Sequence, residues 1–417
     1  MTKKILLVLG ILVIIGIAVF FMFFSKPQTE GESGVGFSIR NFLPFGSSDN
    51  IYTSTTTPDI NTDEKPSDQI NSGTVVVIPR LRKLSNEPVA GAVIFNIGTT
   101  SIVRFVEKGT GNVYEAKSNS LTSERLTNTT IPKIIRAFWL PDASGFLAQT
   151  LLSDTEIIET NFVKLNKNKA STTLENLTPF STTVSKLPTD IKEMTVKPDS
   201  TKIFYYTINN SYSNWFTANP DGTKATLVMN HPLTEWLPKW ISGNTVIMQS
   251  KGSAEILGFT YTFDVSSMVL KKIGMDSFGI SNNTKPDSSL SLVSMGGIIP
   301  QLSLVDNKNV TLKVTGVTTL AEKCVWLKDQ NPTAYCAISN NLPRGNYPDD
   351  WYKGLISTED FIQKIDINND IFYKTADLTN LSKQKIDITD ISLSSDETHL
   401  IFRNKIDGYL WMLRIGE

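Results

Sequence analysis

Phe138-Trp-Leu-Pro-Asp-Ala-Ser-Gly-Phe-Leu147 reads as an apolar strand, a Pro-Asp turn and a second apolar strand. Pro fixes φ, and the Asp side chain bonds back to the backbone of the turn. The figure returns at Thr195-Val-Lys-Pro-Asp-Ser-Thr-Lys-Ile-Phe-Tyr205. Looser copies stand at Lys239–Met248, Thr284–Leu290, Val325–Asp329 and Ser392–Phe402. A unit of short strands repeated along most of a chain is the signature of an all-β ring of blades, a β-propeller.

Blades can be counted outward from these turns. The first runs from about Val89 to Asn128, with a hairpin at Glu107-Lys-Gly-Thr-Gly-Asn112. The others cover about 131–180, 189–231, 234–274, 278–317, 320–377 and 386–417. Seven four-stranded blades is the preferred count, with six and eight open because the second and sixth units are long. The last unit stops after Gly408-Tyr-Leu-Trp-Met-Leu-Arg-Ile415, its third strand. The orphan strand Val75–Leu84 supplies the missing outer strand and removes an open sheet edge.

Before the ring, Ile5–Phe24 is one uncharged apolar run. At ~1.5 Å per residue, about twenty residues span the ~30 Å hydrocarbon core. Lys3 and Lys4 precede it, so the N-terminus stays cytoplasmic and the rest lies outside. The bulky Phe20-Phe-Met-Phe-Phe24 that ends the run argues for an uncleaved anchor over a cleaved signal peptide. Residues 25–73, rich in Gly, Ser, Thr and Pro, read as a flexible linker broken by one apolar island, Phe37–Gly46. That island is either a docking segment or a sticky stretch without a partner. The domain reading is therefore a cytoplasmic end at 1–4, an anchor at 5–24, a linker at 25–73 and the propeller at 74–417.

Net charge is −1 over 417 residues, which gives no pull toward nucleic acid. Two histidines, His231 and His399, leave little for metal or acid–base chemistry. No Gly-x-Ser-x-Gly elbow and no phosphate loop occur. Asp366-Ile-Asn-Asn-Asp370 lacks the glycine and terminal glutamate of a calcium loop and reads as a turn. No cofactor and no metal site are expected.

The turns Pro141-Asp142, Pro198-Asp199 and Pro286-Asp287, with the hairpin Asn219-Pro-Asp-Gly222, resemble those of the TolB-like branch of WD-type propellers. The likeness covers roughly residues 75–417. It implies an extracytoplasmic bacterial propeller that binds a protein or small ligand on one face. TolB carries a small α/β domain where this chain has an anchor and linker, so TolB's partners do not transfer.

Three groups of residues are candidates for function. Cys324 and Cys336 sit on two arms of one hairpin centred on Gln330, so they face each other and can oxidise outside the cytoplasm; two buried thiols are the alternative. The sixth unit carries an insertion, Asn340–Leu355, between its second and third strands. Its Tyr347, Asp349, Asp350, Trp351 and Tyr352 combine aromatic area with carboxylates, as a peptide or sugar grip would; a loop folded down to seal the rim is the alternative. Arg136, Glu193, Glu235, Glu322, Lys323 and Asp390 each fall at or just before an innermost strand. They are expected to ring the channel mouth, either as mutually paired charges or as the paired carboxylates of a glycosidase. Trp139, Trp240 and Trp326 recur at one hairpin position and read as packing between blades. The expected function is a membrane-anchored, non-enzymatic scaffold that binds an envelope protein. A carbohydrate-active enzyme and a purely structural envelope protein stand as alternatives.

Overall fold

The computed structural model describes residues 77–152, 155–168, 178–307, 312–328 and 331–416. The expected anchor and linker lie outside them, as does the Phe37–Gly46 island. Among the described residues no helix is long and apolar enough to cross a membrane.

The described strands form seven four-stranded antiparallel sheets. Six are simple meanders in chain order. They begin at Val89–Ile97, Ile134–Trp139, Glu193–Val196, Trp236–Ser242, Ser281–Thr284 and Cys324–Trp326. The seventh begins at Ile388–Leu393 and takes its outer strand from the other end of the chain. Leu81, Arg82 and Lys83 pair with Leu413, Met412 and Trp411. The closing strand is thus Leu81–Lys83, shorter than the apolar stretch that announced it. Arg82 also donates to the carbonyls of Ser120 and Lys117, which ties the seam to blade one. The second blade's outer strand, Phe180–Lys186, extends past the expected boundary.

The cores lie between blades. Phe204, Trp215, Trp236, Trp240 and Phe263 fill the junction of blades three and four. Phe204 stacks on Trp215 at 4.8 Å between centroids and meets Phe263 at 5.6 Å. The repeated tryptophans behave as packing: Trp139 donates to Gly91 O of blade one, and Trp326 to Asn283 O of blade five. Both of these indole N–H groups find an acceptor in a neighbouring blade, as burial favours.

In a meander, loops joining second to third strands open on the same face as loops entering each first strand. The sixth-blade insertion therefore opens on the face where the channel-mouth charges sit.

Candidate functional site at the channel mouth

First strands from blades two to seven enclose a cavity of about 630 Å³. Five of the six expected mouth residues line it: Arg136, Glu193, Glu322, Lys323 and Asp390. Glu235 does not. It stands exposed at the rim, 3.6 Å from Lys251 Nζ, because it precedes the strand whose Lys239 reaches the lumen instead. Trp351 and Tyr352 of the insertion line the same cavity, so two separate sequence features meet in one place.

The charges are mostly paired. Arg136 Nη1 donates to Glu193 Oε1 at 2.6 Å, and Arg403 Nη2 lies 2.5 Å from Asp390 Oδ2. Tyr352 donates its hydroxyl to Glu322 Oε1 at 2.6 Å. Lys239 Nζ donates to Asn283 Oδ1 at 2.9 Å. Glu322 touches the lumen, yet protein surrounds it. That enclosure raises its pKa above the ordinary glutamate value, against the Tyr352 hydrogen bond and the charge of Lys323; Asp390 adds to the rise. Burial, with the Glu322 charge behind it, raises Tyr352 well above 10. Lys239 is exposed to the lumen, and the protein crowded around it lowers its pKa below the ordinary lysine value.

Lys323 belongs to a buried network that the sequence did not announce. Its Nζ donates to Thr358 Oγ1 at 2.6 Å, Asp387 Oδ1 at 2.7 Å and Asp360 Oδ2 at 2.8 Å. Trp351 Nε1 donates to both Asp387 oxygens at 3.0 Å. The backbone N–H groups of Thr358 and Ile388 complete the two carboxylates. Two buried carboxylates face one ammonium, and Lys405 lies 5.0 Å over the Trp351 ring. Burial would raise Asp387, but the charge of Lys323 and the hydrogen bonds from Lys323, Thr358 and Trp351 outweigh it and hold Asp387 below the usual range. Burial would lower Lys323; Asp360 and Asp387 outweigh it and raise it.

This network clamps the insertion down. Asp349–Tyr352 is a single helical turn, and Trp351 is only 2% exposed. Tyr347 is 1% exposed and donates its hydroxyl to Pro343 O. Asp349 accepts from Ala254 N at 2.6 Å in blade four, and Asp350 accepts from Asn346 N at 2.7 Å. Tyr347 also bridges to Gly297 of blade five. No side chain fits at that approach: a Cβ on Gly279, whose φ is +59°, would stand 2.6 Å from Tyr347 O. Of the two readings of the insertion, these contacts fit the loop folded down on the rim rather than the outstanding grip. Tyr347 and Trp351 are anchors, Asp349 and Asp350 satisfy backbone donors, and Tyr352 reaches the lumen-lining Glu322.

The Cys324 and Cys336 sulfurs are bonded at 2.09 Å, and the two residues are paired in register. Neither histidine lines the cavity: His231 packs edge-on against Trp236, and His399 bonds to Ser101 and Thr398. Among the described residues no group of three or more His, Cys, Asp or Glu is set to hold a metal.

Sequence reasoning missed Lys239, Asn283, Asp360 and Asp387. A signal existed for Lys239. It precedes the repeated Trp240 as Phe138 precedes Trp139, and side chains alternate along a strand, so both face the lumen opposite a packing tryptophan.

No family model matches this sequence, and no curated protein matches it. Solved structures do resemble it. Oligogalacturonate lyase from Vibrio parahaemolyticus is similar at TM-score 0.52 and 11% identity, over 81% of this chain and 94% of that one. A second oligogalacturonate lyase, solved with manganese, is similar at TM-score 0.51 and 12% identity, over 77% of this chain and 87% of that one. TolB from Acinetobacter baumannii is similar at TM-score 0.41 and 11% identity, over 64% of this chain and 59% of that one. Together with the strand pairing, the likeness defines the class: a seven-bladed β-propeller. At this identity it speaks for the fold alone.

Proposed function

We propose that this chain is a binding module, a rigid propeller held by its N-terminal segment outside the cytoplasm, whose contact face is the one bearing the sixth-blade insertion. One observation carries the reading. Ile256, Leu257, Phe278, Ile298, Ile299 and Leu355 are all exposed on that face, Leu355 at 72% and Ile256 at 68%. They sit on loops and strand ends at that rim, and the insertion ties two of those loops to itself: Gly345 N donates to Ile298 O, and Ala254 N to Asp349. Grouped apolar side chains on a soluble surface mark interaction sites. The insertion supplies the loop geometry, and its neighbours supply the apolar surface. The partner expected is another envelope protein with an apolar surface of its own.

The test is co-purification of the full-length chain from its native membrane. The triple variant Ile256→Ser, Ile298→Ser, Leu355→Ser should lose the partner. Its stability should change by only about 0.5 kcal/mol per site, since these are surface positions. Undiminished partner recovery would refute the reading.

A second reading rests on Glu322. A carboxyl raised by enclosure, beside a second carboxylate in Asp390, is a pattern that acid catalysis on a glycan uses. Turnover of an oligosaccharide panel, abolished by Glu322→Gln, would favour it over the binding module.

A further inference from the structure

The channel contains a cation that the ring leaves unneutralised. At the mouth, Arg136 is matched by Glu193, Arg403 by Asp390, and Lys323 by Asp360 and Asp387. Lys239 forms no ion pair among the described residues, and its Nζ makes a single described hydrogen bond, to Asn283 Oδ1. Asn283 is itself fixed. Its Nδ2 donates to Cys324 O at 2.6 Å, and its carbonyl accepts from Trp326 Nε1 at 2.8 Å. An ammonium has three donors, so two of them remain for the lumen. Lys239 is exposed to the lumen, so its ammonium is open to a ligand that supplies the counter-charge through a charge-assisted hydrogen bond.

The rest of the lining says what kind of anion. Phe138, Val196, Leu237, Ile247 and Ile391 share the lumen with a polar set that includes Thr195, Gln249, Ser281, Asn282 and Thr284. Glu193 and Asp390, also in the lining, are paired with Arg136 and Arg403. The volume, about 630 Å³, lies in the range of small-molecule pockets. A ligand with both a charged end and an apolar body uses this mixed wall more fully than a hydrated inorganic ion does.

We infer that the channel is a binding site for an organic acid, its carboxylate held by Lys239 Nζ and its apolar body against Phe138, Leu237, Ile247 and Ile391. The acid is either a free molecule or the carboxyl end of a peptide, which share this chemistry. Held by the fixed Asn283, the ammonium is preorganised and little ordering remains to be done on binding. The site is separate from the apolar outer face, so the two readings stand or fall apart.

Calorimetric titration of the full-length chain tests it. The probes are 4-phenylbutyrate, its neutral analogue 4-phenylbutyramide, and an acetylated tetrapeptide of three alanines and a C-terminal phenylalanine with its carboxyl free. At least one acid should bind about tenfold or more tighter than the amide, as a charge-assisted contact requires. Which acid binds better tells a free ligand from a peptide end. Lys239→Met should abolish the preference for acid over amide, and Lys239→Arg should keep it. Equal binding of acid and amide, no binding of either acid, or full binding by Lys239→Met would overturn the proposal. The contrast between acid and amide is read on the unaltered protein, so it holds even where a variant fails to fold. Lys239→Met should leave partner recovery through the outer face unchanged.

Discussion

Two blade junctions hold this ring by different means. Between blades three and four the contact is aromatic: Phe204, Trp215, Trp240 and Phe263 stack and tilt against one another with no buried charge among them. Between blades six and seven an apolar floor of Leu327, Ala337, Ile388 and Phe402 is overlaid by Lys323, Asp360 and Asp387, all at most 2% exposed. Aromatic packing is non-directional and serves to close a joint. The ionic joint does more. It fixes Thr358 and Trp351, and so fixes the insertion that shapes the mouth. Buried ion pairs are poor sources of net stability, but their geometry is specific. The difference teaches where this chain requires position and where it requires only cohesion.

The sharpest way to break the comparison is to remove the central ammonium. Lys323→Met should cost about 3–5 kcal/mol at pH 7, because it leaves buried carboxylates unpaired. Phe204→Ala should cost about as much, about 3–5 kcal/mol, by leaving a cavity. The two should separate with pH. Asp387 is depressed in the folded protein, so its contribution is present above the unfolded value of about 4 and is lost as pH falls through the folded one. Without Lys323 that depression disappears, and Asp387 takes up a proton more readily. The Lys323→Met penalty should therefore shrink between pH 7 and pH 5, while the Phe204→Ala penalty stays constant. Urea unfolding at both pH values measures this; parallel penalties would mean that the ionic joint is no different in kind.

A smaller effect concerns the covalent link in the same blade. Cys324 and Cys336 close a loop of separation 12, so Cys324→Ser with Cys336→Ser should cost at most about 3 kcal/mol by chain entropy. Non-reducing peptide mass spectrometry shows the bond directly. The same melting temperature with and without reductant would show that the blade does not depend on it.

The smallest effect lies at the mouth. Tyr352→Phe removes the hydrogen bond to Glu322 and should cost about 1 kcal/mol. It should also push the Glu322 pKa further up, because the Tyr352 hydroxyl is the leading influence holding it down. A carboxyl raised in the folded state favours folding below the unfolded value and loses that advantage as pH rises. The variant should therefore lose stability more steeply than the parent above about pH 4. A carboxyl-carbon NMR titration reads the pKa itself, and an unmoved Glu322 would dismiss the link between insertion and lumen.

The fold was legible because its punctuation is local. Pro141-Asp142 and Pro198-Asp199 declare turns within four residues, and the orphan strand before Val89 had one open edge to fill. The cysteine pairing was legible for the same reason, since a hairpin fixes which residues face each other. The mouth was half legible. Arg136, Glu193, Glu322, Lys323 and Asp390 share a position relative to their first strands, and the ring brings them together. The clamp was not legible. Lys323 and Asp387 are 64 residues apart, and neither residue type signals burial on its own. The insertion stayed open between two readings because aromatic and acidic residues on a long loop look alike whether they reach outward or are pulled in. Only the partners, Asp387 for Trp351 and Ala254 N for Asp349, decide between the two.

The central claim is that the face bearing the insertion is the contact face, and site-specific photo-crosslinking in living cells addresses it most directly. A photoreactive residue at Ile298 lies on that face, and one at Ala225, exposed in the hairpin after the third strand of blade three, lies on the opposite face. The account predicts a discrete protein adduct from position 298 and none from position 225. An adduct from 225 alone, or none from 298, would contradict it.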